Sequence, residues 1–477
     1  MTLLLLLTST LPVLAQPVPT DDMYRAGRFD NGKMWTFDYP PTDYLAETYQ
    51  FKPDESWFTS ARLGALRIPG CTASFVSAHG LVMTNHHCGR GATAAVSQPG
   101  ENLLEEGFYA TSLAEERRAD NMYADQLFAI EDVTDEVYAA LENAQTDAER
   151  AQARQDVIEQ IQTRIGEAAG GEDAGMHVEV ISLYHGGRYS AYTFKRYDDV
   201  RLVMVPEVEV GYYGGDADNF TYPRYVLDMT FFRVYENGEP YETLHYFQWS
   251  EAGVEEGSLV FAIGNPGSTY RLETVAQLNY RRDVREPTVL HFYRSRADAL
   301  QDAYDGMPEG EGKSELQNQI FSLRNGQKLY EGRVRALNNE MIMARRADTE
   351  RQLREAINAD ASLQAEYGNL IDEMVAVQAQ KAELGPEYGA FLLISNPNFS
   401  SATLQRAILA YRYLTEQQSG ATDEALARMR EQLLAVTDQP ESIDKGLLTI
   451  QLADMEWYLG ENHDIAQNAL DGQEPAT

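Results

Sequence analysis

"CTASFVSAHGLVMTNHHCGRG" occupies residues 71–91, and its reading decides the fold. Two β-rich runs flank a turn at Ala78-His79-Gly80, the pattern of a hairpin. The second run ends on His86, His87 and Cys88, which admit three readings. As a metal site, the three would ligate zinc with His79 nearby. Adjacent residues on a strand face opposite ways, however, and no CxxC or HxxxH pair occurs elsewhere to complete a set. As plain structure, they are the polar end of a strand. As catalysis, one histidine is a general base, which needs a fixed position and tautomer. A disulfide on the next residue would clamp the backbone that carries it.

The compartment bears on the cysteines. Residues 3–14 form an apolar run too short to span a bilayer, and Val13 and Ala15 supply the small residues of a cleavage site before Gln16. They read as a signal peptide, residues 1–15, although no Lys or Arg precedes the run. The mature chain is then exported, to the periplasm or the extracellular space, with no later segment apolar enough to cross a membrane. Cys71 and Cys88 are the two cysteines of the chain, and in an exported protein such a pair reads as a disulfide.

At 477 residues the chain is too long for one core, and 43% hydrophobic content marks it as globular. Its net charge of −35, from 74 acidic and 39 basic residues, excludes nucleic acid and anionic membrane surfaces as partners. Such a field reads first as a surface adapted to salt, and it would also attract cations, among them the ammonium end of a peptide.

Residues 17–60 read as irregular. From Ala61 to about Thr274 the pattern is mostly strand, including a buried strand in "GSLVFAIGNPGSTYRL" (257–272) and a strand with an Asn-Gly turn in "YVLDMTFFRVYENGEPY" (225–241). A helical excursion over about 131–170 interrupts it. Beyond Pro287 long Ala-, Gln-, Glu- and Arg-rich segments carry helical periodicity. The glycine-rich "GNPGST" (264–269) lacks the Lys-Ser/Thr of a phosphate loop and reads as a turn.

A strand, a tight turn, a strand, and a His-Cys bonded back to the first strand resembles the histidine hairpin of chymotrypsin-like serine proteases. "GCTASFVSAHGLVMTNHHCGRGA" (70–92) more closely resembles the signature of the S46 peptidases, exported bacterial dipeptidyl peptidases. "GKMWTFDYPP" (32–41), "GGDADNFTYPRYVLDMTFFRVY" (214–235) and "GNPGSTYR" (264–271) resemble further family motifs in the same order.

The resemblance implies a β + α, two-domain protein. A chymotrypsin-like double β-barrel, incomplete here, spans residues 16–275, and a largely α-helical cap domain spans 276–477. It implies His87 as the catalytic base, with His86 a structural neighbour facing the other way, and Asp228 as the acid that orients the base. Asn219 and Phe220 would receive the free amino end of a peptide, and Asn325 would contact it from the helical domain. The implied reaction releases dipeptides from a free N-terminus through an acyl-enzyme. It needs no metal or organic cofactor, and the family relation implies a homodimer.

Such an enzyme needs a serine in a Gly-x-Ser-Gly setting. Ser268, Ser419 and the Ser400-Ser401 pair all lack it. The nucleophile is expected in a segment beyond Thr477, and the chain as given is expected to be catalytically silent. Two alternatives are an exported peptide-binding pseudo-enzyme and a zinc-dependent hydrolase.

Overall fold

The computed structural model describes residues 21–120, 122–211, 226–267, 269–308, 312–470 and 475. The expected signal peptide, Asn219, Phe220 and Ser268 lie outside the described residues. The chain divides into two compact units: Lys33–Tyr270, and Met1–Gly32 with Arg271–Thr477.

The first unit carries one antiparallel sheet of eleven strands. They are β1 (Ala65–Ile68), β2 (Cys71–Phe75), β3 (Leu81–Thr84), β4 (Phe108–Tyr109), β5 (Arg117–Arg118), β6 (Ala124–Asp132), β7 (Met176–Leu183), β8 (Arg188–Tyr197), β9 (Asp199–Val205), β10 (Thr230–Glu236) and β11 (Glu239–Pro240). The order is β4-β9-β10-β3-β2-β1-β6-β8-β7, with β11 on β10 and β5 on β9.

The quoted stretch forms the β2–β3 hairpin, with Phe75 opposite Val82. Alternation buries Ala73, Phe75, Val82 and Thr84 on one face, as a half-buried hairpin requires. At the β10–β11 turn, Asn237 and Gly238 both take positive φ, 54° and 83°. A two-residue turn of that hand matches the twist of its strands and selects Asn-Gly.

One apolar cluster draws on seven strands. Leu66, Ile68, Ala73, Phe75, Val82, Ala124, Tyr197, Leu202, Phe232 and Val234 all belong to it. Asp198 alone separates β8 from β9. The helical excursion lies between β6 and β7 as Thr134–Leu141 and Asp147–Ala168. The longer helix opens on a capping box between Thr146 and Glu149. Val137, Val157 and Ile161 bury against Val178, Tyr189 and Ala191 of β7 and β8.

Three local readings are corrected. Residues 17–60 are not wholly irregular, because Thr42–Tyr49 and Glu55–Gly64 are helices, the second capped by Asp54 accepting from the Trp57 amide. Residues 257–272 contain no strand among the described residues. Val260 and Phe261 are 65% and 42% exposed there. Strand propensity alone does not make a strand: the backbone needs a neighbouring strand to pair with, and no described strand pairs with this run. Finally, the second strand of the hairpin stops at Thr84, and His86–Val96 is a helix.

The second unit is helical. Its core packs Ala297, Leu300 and Ala303 of the helix Glu286–Gly306 on Leu316, Ile320 and Leu323 of Lys313–Leu337 and Leu447 of Glu441–Leu459. Residues 21–32 join this unit, where the Ala26 amide donates to Asp348 at 2.8 Å. No described helix is long and apolar enough to cross a membrane.

Candidate active site

The site begins with a register. In the antiparallel β3–β10 pair, Thr84 stands opposite Thr230. The chain leaving β3 and the chain arriving at β10 therefore emerge from the same end of the sheet. Three residues past Thr84 is His87, and two residues before Thr230 is Asp228. Sequence patterning sets Asp228 inside an apolar strand; it stands just ahead of the strand.

His87 Nδ1 lies 2.9 Å from Asp228 Oδ2 and 3.1 Å from Oδ1, across 141 positions of sequence. With the carboxylate ionised, Nδ1 carries the proton and donates it, which leaves Nε2 as the basic nitrogen. The imidazole is 42% exposed and the carboxylate 14%. Such a pair can accept a proton at Nε2 while the carboxylate stabilises the imidazolium.

Two further donors reach the carboxylate. The His87 backbone amide donates to Oδ1 at 3.1 Å, and Asn85 Nδ2 donates to Oδ2 at 3.1 Å. Asn85 is the N-cap residue, but its side chain makes no capping bond to its own helix. Asp228 supplies that cap from another segment, accepting an N–H that the first turn leaves unpaired. The positive end of the helix dipole adds to its hold on the anion. Burial pushes the Asp228 carboxyl up, but the side-chain and backbone hydrogen bonds from His87 outweigh it, and the group sits below its ordinary value.

The position of His87 is fixed from the other side as well. Cys88 is bonded to Cys71 of β2, with Cα atoms 6.1 Å apart and a sequence separation of 17. A loop of that size contributes about 3 kcal/mol by the chain-entropy account. Thr84 Oγ1 donates to the Thr72 carbonyl at 2.8 Å, a second tie across the hairpin. On the inner face of the helix, Gly89 lies against Thr230, where a Cβ would stand 2.8 Å from its methyl.

His86 and His87 sit in one helical turn, where neighbours point about 100° apart. His87 turns outward to Asp228, while His86 is fully buried. The zinc set of His86, His87 and Cys88 is thus not assembled. Cys71, His87 and Cys88 do bring donor atoms within 4.8 Å of one another. Both sulfurs are spent in the disulfide, and the metal ligand is the thiolate.

The remaining expected residues are placed as follows. Asn325 is exposed on Lys313–Leu337 in the helical unit. Ser419 caps the end of Ala402–Gln418, its hydroxyl given to the Glu416 carbonyl at 3.0 Å. Ser400 and Ser401 are buried. Among the described residues no serine hydroxyl hydrogen-bonds His87. Sequence reasoning missed Asn85; a Thr-Asn pair before a run without strand alternation is an N-cap signal, and it would have marked the helix start.

Asp228→Asn tests the charged contact. A carboxyl held below its unfolded value of about 3.9 contributes stability that is present above that pH and lost as pH falls through the lower folded value. The substitution is expected to cost about 1–2 kcal/mol at pH 7 and less near pH 3, measured by urea unfolding. An equal cost at both pH values would remove the charge from the account.

The model of the peptidase S46 family matches residues 29–477. An Asp/Glu-specific dipeptidyl-peptidase of Capnocytophaga gingivalis is 30% identical over 316 residues, 64% of this chain and 43% of that protein. The dipeptidyl-peptidase 7 of the same organism is 26% identical over 380 residues, 77% of this chain and 52% of that protein. The chain thus spans about half the length of the curated relatives it matches. Porphyromonas endodontalis DPP11, solved in complex with substrate, superposes with a TM-score of 0.65 at 23% identity, over 88% of this chain and 63% of that one. With a family match over nearly all of its length and the fold of a solved relative, the chain belongs to the peptidase S46 family.

Proposed function

We propose that this chain carries the base and the orienting acid of a serine-type dipeptidyl peptidase, an exported enzyme that releases dipeptides from peptides with a free N-terminus. The observation that carries this reading is the 2.9 Å contact between His87 Nδ1 and Asp228, on a helix tied to the sheet by Cys71–Cys88. His87 is the general base for a serine nucleophile and then the acid for the leaving amine. Asp228 holds its tautomer.

The reading assigns the nucleophile to the part of its relatives that this chain does not span. Asn219 and Phe220 receive the amino end of the peptide, and Asn325 contributes from the helical domain. The sheet is read as the first barrel of a chymotrypsin-like pair. In support, the path β8-β6-β1-β2-β3-β10-β9 begins and ends on strands joined by one residue, and a single apolar cluster draws on all seven. The disulfide supports an oxidising compartment.

The test compares the 477-residue chain with the protein extended by the length its relatives carry. Each is exposed to a fluorophosphonate probe and to fluorogenic dipeptidyl substrates. Labelling and dipeptide release are expected from the extended protein alone. An extended protein that binds peptides but neither labels nor turns over is a pseudo-enzyme, and labelling of the 477-residue chain at Ser268 or Ser419 would put the nucleophile elsewhere.

A further inference from the structure

The pair formed by His87 and Asp228 leaves a question about its acid. Asp228 stands between two anchors. On one side Thr230 is locked into the sheet against Thr84. On the other, the Leu227 amide donates to the Val210 carbonyl at 2.9 Å. The sheet fixes the first anchor. The second depends on the short turn Val208–Gly211, closed by the Val210 and Gly211 amides donating to the Glu207 carbonyl at 3.2 and 2.9 Å.

His86 packs against this turn. Its ring is fully buried and lies directly on Gly211. A Cβ added at Gly211 would stand 2.4 Å from Cδ2, 2.5 Å from Cγ and 2.7 Å from Nε2 of the ring. No side chain fits there, so the backbone of the turn and the imidazole are in direct contact. Neither ring nitrogen makes a hydrogen bond of normal geometry among the described residues. The Pro206 carbonyl, at the start of the same segment, is the ring's one polar influence from it. The ring therefore acts by shape. Burial, and after it the nearby Arg90 charge, pushes its basicity below the ordinary value.

We propose that His86 is a positioning residue, a buried wedge that seats the 206–211 segment and, through the bond from Leu227 to Val210, holds Asp228 against His87. This inference rests on reading His87 and Asp228 as a functional pair. It gives the two consecutive histidines separate tasks: one handles the proton, and the other sets the place of its partner.

The test uses the 477-residue chain with ring-15N histidine and reads the His87 tautomer by NMR. The signature is a proton on Nδ1 engaged with Asp228. Asp228→Asn is expected to abolish it; a signature that survives would overturn the pairing itself, and with it the functional reading. Gly211→Ala is expected to reduce it by more than half, because the new Cβ displaces the turn from the ring. His86→Ala, which removes the ring and leaves a gap without a clash, is expected to reduce the signature as well. If Asp228→Asn removes the signature while Gly211→Ala keeps it, the wedge has no role. The same holds if His86→Ala keeps it. Should Gly211→Ala fail to fold, His86→Ala decides alone: loss of the signature supports positioning, and retention overturns it.

Discussion

In a form that carries the nucleophilic serine, His87→Ala is expected to lower kcat for dipeptide release by a factor on the order of 10^4 to 10^6, with KM little changed. The imidazole moves the proton only as the reaction proceeds, so its loss falls on the transition state and not on binding. The reasons for so large an effect lie in the geometry. A base contributes in proportion to how well it is held, and His87 is held three ways. Its helix is tied to β2 by Cys71–Cys88. Its own amide donates to Asp228 at 3.1 Å. Its Nδ1 meets the same carboxylate at 2.9 Å. No other described side chain stands in that place, since His86 is buried on the inner side of the helix. Fluorogenic dipeptidyl substrates measure the loss. Activity within about tenfold of the parent would show that His87 is not the base, whatever its contact with Asp228.

The second large effect belongs to the helical unit and to stability. Asp454→Ala is expected to destabilise it by about 3–5 kcal/mol. Arg296 is 1% exposed, and its guanidinium donates to Asp454 and to Gln451 Oε1, the latter at 3.0 Å. His291 Nε2 lies 2.9 Å from the same aspartate, and Gln451 donates onward to the Ala390 carbonyl at 2.7 Å. The guanidinium also stacks on Phe292, 4.4 Å from the ring centre. Removing the carboxylate leaves a buried cation without its anion. Replacing both partners, as Arg296→Met with Asp454→Leu, should cost much less, because the desolvated charges disappear together. Urea unfolding followed by far-UV circular dichroism reads both variants. A single-variant loss below about 1 kcal/mol would mean that the pair is hydrated.

Much of the molecule was legible in the chain. The β2–β3 hairpin followed from alternation and a Gly-ended turn, and the β10–β11 turn from Asn237-Gly238, because both rest on the preferences of a few adjacent residues. The helices beyond Pro287 followed from apolar periodicity. Cys71 and Cys88 were the two available partners in a chain read as exported. The motifs around His87 and Asp228 carried the family, and with it the expectation that the two would meet.

Other features were decided only by the fold. A strand was expected at residues 257–272, yet β structure depends on a neighbour, and sequence alone does not show whether one is present. The hairpin was expected to run into His86 and His87 as extended chain. Instead Asn85 starts a helix there, and Asp228 caps it by accepting from the His87 amide across 141 positions. That single change sends His86 into the core and His87 to the surface at an angle that no strand allows. The meeting of His87 with Asp228 is itself a consequence of register, Thr84 opposite Thr230, and a shift of one residue would have turned the pair apart. The sequence by itself determined which groups are present and the local conformations they prefer. Their convergence was decided by tertiary structure, because hydrogen-bond geometry between residues 141 apart is set by the sheet that joins them and by no property of either segment alone.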